Sequence, residues 1–396
     1  MRKVAGSKFK VNQIMLDFSI AMLIIANSLA WLLPVSSNAL AIIMLFVLLF
    51  FSVGSKLKIQ SYHSKYIVFI SLALFVESFI LTGYGALDED TRKYFVEFVT
   101  LGIPSLFMAN TNFRPYKVMG YVCVLSVPML FYIRGIDMLT SRIDYGYWMG
   151  ISYGIVKYII VLCFAVFFVK KFNPAIKLGL LVILFLYVLF YLEFASRGAI
   201  VAVVISVVLF YLVKKDYTVK KTILVLTVFA MVLYTLFFVI IQGLYELFNS
   251  YGIKSFALEK MLFMEDVTNG RENIYKQGLE IFMNSPIIGS GAGIFEREYS
   301  EGYVHNCLIQ FLDEGGVVYF VILLCVIMKS FKFLLDRRIQ KEERYFMAFL
   351  ISSGFVQLLF SSYFWGAQCF WLMIGYTFFL SNKLKRLSHE NSSSSI

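Results

Sequence analysis

A chain of 396 residues that is 60% hydrophobic, 18% aromatic and only 15% charged does not cover itself with polar surface as a soluble domain does, which needs roughly a quarter of its residues charged. Its net charge of +11 would suit a nucleic-acid partner if it were clustered, but Lys and Arg fall mostly in alternate short loops between apolar runs, the pattern of membrane insertion. These facts exclude a soluble protein and a nucleic-acid binder. They leave an all-α integral membrane protein, because backbone groups in lipid must be hydrogen-bonded within their own segment.

In chain order, apolar runs long enough for a hydrocarbon core about 30 Å thick predict about 12 transmembrane helices. They lie near 13–33, 38–54, 66–82, 93–109, 118–134, 151–169, 178–195, 198–213, 222–243, 305–328, 345–362 and 364–380. The basic start, Arg2, Lys3, Lys8 and Lys10, resembles a signal peptide with Ser28-Leu29-Ala30 as a cleavage site. The first run is long enough to be an uncleaved span instead. Pro104 and Pro128 predict kinks in the fourth and fifth spans. Lys56, Lys58 and Lys65; Arg114 and Lys117; Lys170, Lys171 and Lys177; Lys214, Lys215, Lys220 and Lys221; and Lys329, Lys332, Arg337, Arg338, Lys341 and Arg344 mark one set of loops as cytoplasmic. Lys383, Lys385 and Arg386 join them, while the opposite set includes Asp88-Glu89-Asp90. Both termini are then cytoplasmic in the plasma membrane, and the Ser-rich end from Asn391 is a disordered tail.

The organisation expected is spans in 1–243, a large external loop over 244–304, further spans in 305–380 and a cytoplasmic tail over 381–396. A loop of that length in a compact protein is usually functional or disordered, and this one is too rich in Phe, Tyr, Leu, Ile and Met to be disordered. Asn269 and Glu272 fit an N-cap with an acidic residue three positions on. Ile274, Tyr275, Gly278, Leu279, Phe282 and Met283 follow at helical spacing up to Asn284-Ser285-Pro286, predicting an amphipathic helix with its apolar face on the bilayer or the bundle.

Candidate chemistry concentrates around that loop. Of the 3 histidines, His63 and His389 are cytoplasmic in this topology, and His305 alone is external. Lone histidines are more often structural, but a helix mouth facing a loop cavity desolvates an imidazole while leaving it reachable, which suits a general base. Arg197, in Glu193-Phe-Ala-Ser196-Arg197-Gly198, is either a snorkelling residue paired with Glu193 or an anion site. Arg271 stands at a helix N-terminus, where a cation opposes the macrodipole; it is either a solvated charge or, with the free N–H groups, an anion site. Gly289-Ser-Gly-Ala-Gly293 follows no strand and lacks a Gly-Lys-Ser/Thr ending, so it reads as a flexible turn rather than a phosphate loop. Lys157, Glu77, Glu97 and Glu193 lie within or at the ends of apolar runs and are candidates for a polar cavity. Cys123, Cys163, Cys307, Cys325 and Cys369 show neither a pairing scheme nor metal spacing, so no disulfide, metal or cofactor is expected.

Ser196-Arg197-Gly198, then Arg271-Glu-Asn-Ile-Tyr-Lys-Gln-Gly-Leu-Glu-Ile-Phe, Ser285-Pro286-Ile-Ile-Gly289-Ser-Gly291 and His305-Asn306-Cys-Leu-Ile-Gln-Phe-Leu-Asp-Glu314-Gly315-Gly316 together resemble the O-antigen ligase and Wzy-type O-antigen or capsule polymerase family. The motifs cover roughly 193–328; Tyr275 stands where members often carry Trp. The resemblance implies metal-independent glycosyl transfer at the extracytoplasmic face of the bacterial inner membrane, from a glycan carried on undecaprenyl pyrophosphate. It implies Arg197 and Arg271 as pyrophosphate ligands and His305 as the base on the acceptor hydroxyl, with Asn306, Glu314 and Glu193 in support. It also implies a place in lipopolysaccharide or capsule synthesis beside a flippase and a chain-length regulator.

Of the two activities, polymerisation of repeat units is expected over ligation, since polymerases are the more varied group. A transporter or flippase of lipid-linked sugars is the alternative from another class; twelve spans suit it and a structured external loop does not. A metal-dependent membrane glycosyltransferase fits less well, because the first external loop, around Pro34–Asn38, has no acidic residue.

Overall fold

The computed structural model describes residues 2–28, 64–81, 89–139, 145–170, 172–194, 196–216, 241–252, 271–299 and 302–393, with isolated residues and pairs between these stretches. Every regular element among them is helical. In chain order they are α1 (Arg2–Ile24), α2 (Ser64–Leu81), α3 (Glu89–Glu97), a π-helix (Phe98–Gly102), α4 (Ile103–Met108), α5 (Pro115–Leu139), α6 (Tyr145–Phe168), α7 (Pro174–Phe194), α8 (Arg197–Lys215), α9 (Arg271–Asn284), α10 (Ile294–Glu298), α11 (Cys307–Leu335), α12 (Lys341–Leu350), a second π-helix (Ile351–Val356) and α13 (Gln368–Ser393); residues 241–250 are also helical.

Five of the described helices are long and apolar enough to cross a membrane: Pro115–Ile133, Gly150–Phe168, Pro174–Tyr191, Gly198–Lys215 and Cys307–Leu335. They fall on five of the expected spans. The expected spans 38–54 and 222–243 lie almost wholly outside the described residues. The fourth and eleventh are not single α-helices, since each contains a π-helical turn. At Pro104 the reason is local. Proline has no N–H for the helical ladder and its ring crowds the preceding turn; the chain widens to a π turn and restarts as α4 with Pro104 in its first turn. Pro128 instead sits inside a continuous α5.

The chain divides into two compact units, Val122–Asn269 and the combination of Met1–Tyr121 with Gly270–Ile396. In the first, α6 is the most buried of the candidate spans, whereas α7 leaves most of its surface open. Ile176, Leu178, Leu181, Val182, Phe185 and Val188 are exposed along α7, an apolar stripe whose natural solvent is lipid. Tyrosine hydroxyls tie this unit together: Tyr187 donates to the Ser126 carbonyl at 2.7 Å and Tyr191 to that of Ser152 at 3.0 Å.

The second unit is organised around α11, which at about 1.5 Å per residue is long enough for a full bilayer crossing. Its two ends differ in character. Lys329 and Lys332 lie toward its C-terminal end, with Lys385 of α13 nearby and Lys329 donating to Ser381 at 2.8 Å. Its N-terminal end carries Asn306 as N-cap, with the side-chain oxygen accepting from Leu308 N–H at 2.9 Å.

Within α11 the helical backbone breaks at Gly316, where φ is 62° and ψ −169°. Regular helix would have Val317 and Val318 donate to Asp313 and Glu314. Instead Val317 N–H donates to Pro286 O at 2.9 Å and Val318 N–H to Ile287 O at 3.2 Å, while the Asp313 and Glu314 carbonyls accept from Ser290 and Gly291 at 3.0 and 2.9 Å. The 286–291 segment is thus docked into the break, and no backbone group named here is left unpaired. Such a break survives at membrane depth only where protein re-satisfies the freed groups. Glycine is required on both sides: a Cβ on Gly316 would lie 2.4 Å from Ile287 O, and one on Gly289 2.3 Å from Glu314 O.

Candidate active site at the mouth of α11

The amphipathic helix of the expected external loop forms as α9, Arg271–Asn284, ending at Ser285-Pro286; the N-cap expected at Asn269 lies outside the described residues. Part of its apolar face packs on protein, while Leu279 and Met283 of the expected stripe stay exposed. Ile281 joins Ile294, Phe295 and Val304 in a core that Ile274, Tyr275, Tyr299 and Ile309 complete. Gly278 lets the two helices approach, since a Cβ there would meet Ile309 Cγ2 at 2.8 Å. This packing fixes the first residue of α9, Arg271, whose Nη1 donates to the Phe360 carbonyl at 2.5 Å.

His305 sits one residue before the Asn306 cap in left-handed backbone, φ 59°. A non-glycine residue there is uncommon, and such conformations gather at functional sites. Its ring centroid is 4.1 Å from that of Tyr303, and Nδ1 is buried without a partner among the described residues. Burial first, and the nearby Arg271 charge second, lower its pKa to about 4. The imidazole is therefore neutral at neutral pH, the form that accepts a proton. Arg271 and His305, 34 residues apart by their numbers, are brought together.

Glu314 is fully buried and acts as a staple. Its Oε1 accepts from Gly293 N–H at 3.1 Å and Gln310 Nε2 at 2.9 Å, and its Oε2 from Trp365 Nε1 at 2.8 Å. Trp365 stands in a cluster with Phe75, Phe98 and Phe364. The neighbouring Asp313 is equally buried, and both of its carboxylate oxygens lack a partner among the described residues.

The glycine-rich turn differs from the flexible one expected. All five of its N–H groups are used: Gly289 to Ser285 O, Ser290 to Asp313 O, Gly291 to Glu314 O, Ala292 to Leu74 O and Gly293 to Glu314 Oε1. None is left to cradle a phosphate. Arg297, which the sequence reading passed over, clamps this turn. Its Nη1 donates to Ser78 Oγ at 2.5 Å, Thr91 Oγ1 at 2.7 Å and Ala292 O at 2.7 Å. Nothing local marks this residue, because its side-chain partners Ser78 and Thr91 come from α2 and α3.

Next to His305 runs a tyrosine series. Tyr303 bonds Ser361 Oγ at 3.2 Å and its ring centroid is 5.9 Å from that of Tyr363, which lies 4.4 Å from Tyr94. The Tyr94 hydroxyl donates to Glu296. Burial pushes Glu296 up to about 7, against the Tyr94 hydrogen bond.

Arg197 belongs to the other unit. It is the first residue of α8, directly after Ser196, whose hydroxyl accepts from Ala199 N–H at 3.4 Å as N-cap. The side chains of Arg197 and Glu193, and so their expected pairing, lie outside the described ones. Of the ionisable groups within or at the ends of apolar runs, Lys157 is buried in α6, while Glu77 and Glu97 are half-buried in α2 and α3.

Fold and site together define a helical, multi-pass membrane protein with a cation and a neutral imidazole gathered at one helix mouth. Residues 180–324 match the protein-family model described as O-antigen ligase. The match covers 145 of the 396 residues, so it is a similarity to that family over this stretch. It takes in Glu193, Arg197, Arg271, His305, Asn306 and Glu314. No curated protein matches the chain.

Proposed function

We propose that this chain is a polysaccharide polymerase that joins oligosaccharide repeat units carried on undecaprenyl pyrophosphate at the extracytoplasmic face of the inner membrane, without a metal. The observation that carries the reading is the approach of Arg271 to a neutral His305 at the N-terminal mouth of α11. The acceptor hydroxyl oxygen attacks the anomeric carbon of the donor. The bond from that carbon to the pyrophosphate oxygen breaks, its electron pair leaves with undecaprenyl pyrophosphate, and His305 takes the hydroxyl proton. The leaving group is already good, so charge stabilisation, positioning and a base suffice. Among the described residues Arg271 spends one N–H donor, on Phe360 O, and a guanidinium fork matches phosphate oxygens. Arg197 is assigned the same task at the start of α8. The anionic donor would also offset the Arg271 charge felt by His305 and raise its basicity when it is needed. A chain-length regulator and a flippase of the same pathway are the expected partners.

The similarity to the O-antigen ligase family favours a second reading, ligation of a finished glycan to a different acceptor. Deletion in the host separates them: single-repeat glycans mean a polymerase, and long lipid-linked chains left unattached mean a ligase. The direct test is reconstitution in proteoliposomes with a purified lipid-linked repeat unit. Wild type should elongate it; Arg197→Ala and Arg271→Ala should insert normally and lose nearly all activity, and Lys at either position should recover only part. Transport across the bilayer without glycosyl transfer would overturn the enzyme reading.

A further inference from the structure

We propose that Tyr303, Tyr363 and Glu97 form a saccharide subsite beside His305 that seats the pyranose whose hydroxyl is deprotonated; the subsite rests on the transfer reading above. Tyr303 and Tyr363 are half-buried, whereas Tyr94 behind them is only 2% exposed. Each ring is pinned through its hydroxyl, Tyr303 by Ser361, Tyr363 by the Glu97 carboxylate and Tyr94 by Glu296. A platform fixed this way loses little side-chain entropy when it binds. Lys93 Nζ lies over the Tyr363 ring, 5.1 Å from its centre. Its side chain is exposed and must swing aside to uncover the ring, which brings it to the edge as a donor beside the carboxylate acceptor. Glu296, behind the rings, keeps one buried oxygen without a partner among the described residues.

The combination selects the ligand. Aromatic faces are negative and accept the weakly positive C–H face of a sugar ring, while a carboxylate and an ammonium at its edge serve hydroxyls. An isoprenoid has no use for the carboxylates, and a phosphate would be repelled by Glu97 and nearby Asp90, whose charge reaches Glu296. A neutral polyhydroxylated ring suits both features. The site is assembled from α3, the residues just before α11 and the turn before α13, three segments distant in the chain that meet at one end of α11.

The test uses the full chain in nanodiscs and, as probe, the oligosaccharide repeat unit released by mild acid from the host's lipid-linked pool, which carries no pyrophosphate. Saturation-transfer NMR and calorimetric titration should detect binding to wild type. Tyr363→Ala should weaken it at least about tenfold, as should Glu97→Gln, and Tyr363→Phe, which keeps the ring, should stay within about threefold. Arg271→Ala should leave sugar binding unchanged while losing the lipid-linked donor. Should Tyr363→Ala fail to fold, Glu97→Gln against Tyr363→Phe decides. No binding by wild type, or wild-type binding in both Tyr363→Ala and Glu97→Gln, overturns the subsite. If it falls while transfer still needs His305, the polymerase reading stands; if sugar binding follows the variants but His305→Ala transfers normally, the base assignment fails and the subsite survives.

Discussion

Replacing His305 tests the site at its most exposed assumption. As general base the imidazole accounts for about 10²–10⁴ in rate, so His305→Ala should lower kcat by that factor. The structure adds the pH at which this is read. With His305 lowered to about 4 by burial and by Arg271, kcat/KM, which reports the free enzyme, should be level above about pH 5 and fall below it. The kcat profile reports the substrate complex and should break higher, because the bound pyrophosphate cancels the Arg271 charge. Both breaks should vanish in His305→Ala, and Arg271→Ala should move the first upward. Stability gives a second readout. From the ordinary 6.5 to about 4, at about 1.36 kcal/mol per pH unit, the shift corresponds to about 3 kcal/mol, and screening of a partly exposed ring brings it nearer 2. The unfolded chain binds the proton first as pH falls, so this contribution is complete above 6.5 and is lost toward 4. In a protein of this size it moves the melting temperature by about 4 °C or less, and His305→Gln should remove that pH dependence. Glu296, pushed up to about 7, works in the opposite sense: its contribution is present below 4.5 and lost as pH rises, so the difference between wild type and variant is the quantity to measure. A break near 6.5 that persists in His305→Ala would refute the reasoning.

Gly289→Ala and Gly316→Ala should each cost about 2–5 kcal/mol from left-handed strain and overpacking, read as loss of folded protein in thermal melts. Gly302→Ala, also at positive φ but with open space around it, should cost only about 1–2 kcal/mol. Glu314→Leu leaves three buried donors unpaired, at about 1–3 kcal/mol each before relaxation; Glu314→Gln should keep most of the fold, and equal melting of the two variants would remove the staple role. Reporter fusions after Gly270 and after Arg338 should report opposite compartments, as the basic C-terminal end of α11 requires.

Much of this protein is legible from sequence because hydropathy is a local property. A run such as 151–169 must be a helix in lipid whatever its neighbours do, and the helical spacing from Ile274 to Met283 specifies α9 without reference to a partner. The motif residues Arg271 and His305 stand out for the same reason: each is a polar group at an apolar boundary. Their convergence is not local. It depends on Gly278 letting α9 close on α11 and on the Gly316 break accepting the 286–291 backbone. Nor does any window of sequence relate Ser78 to Ala292, 214 positions apart, or Tyr94 to Glu296, 202 apart. The glycine-rich turn looks free in the sequence and is held in the fold, because the donors and acceptors that occupy it come from α2, α3 and α11. Tertiary structure alone decides which polar groups are paired, since a buried group must find a partner in space and takes it from any part of the chain that packing brings near.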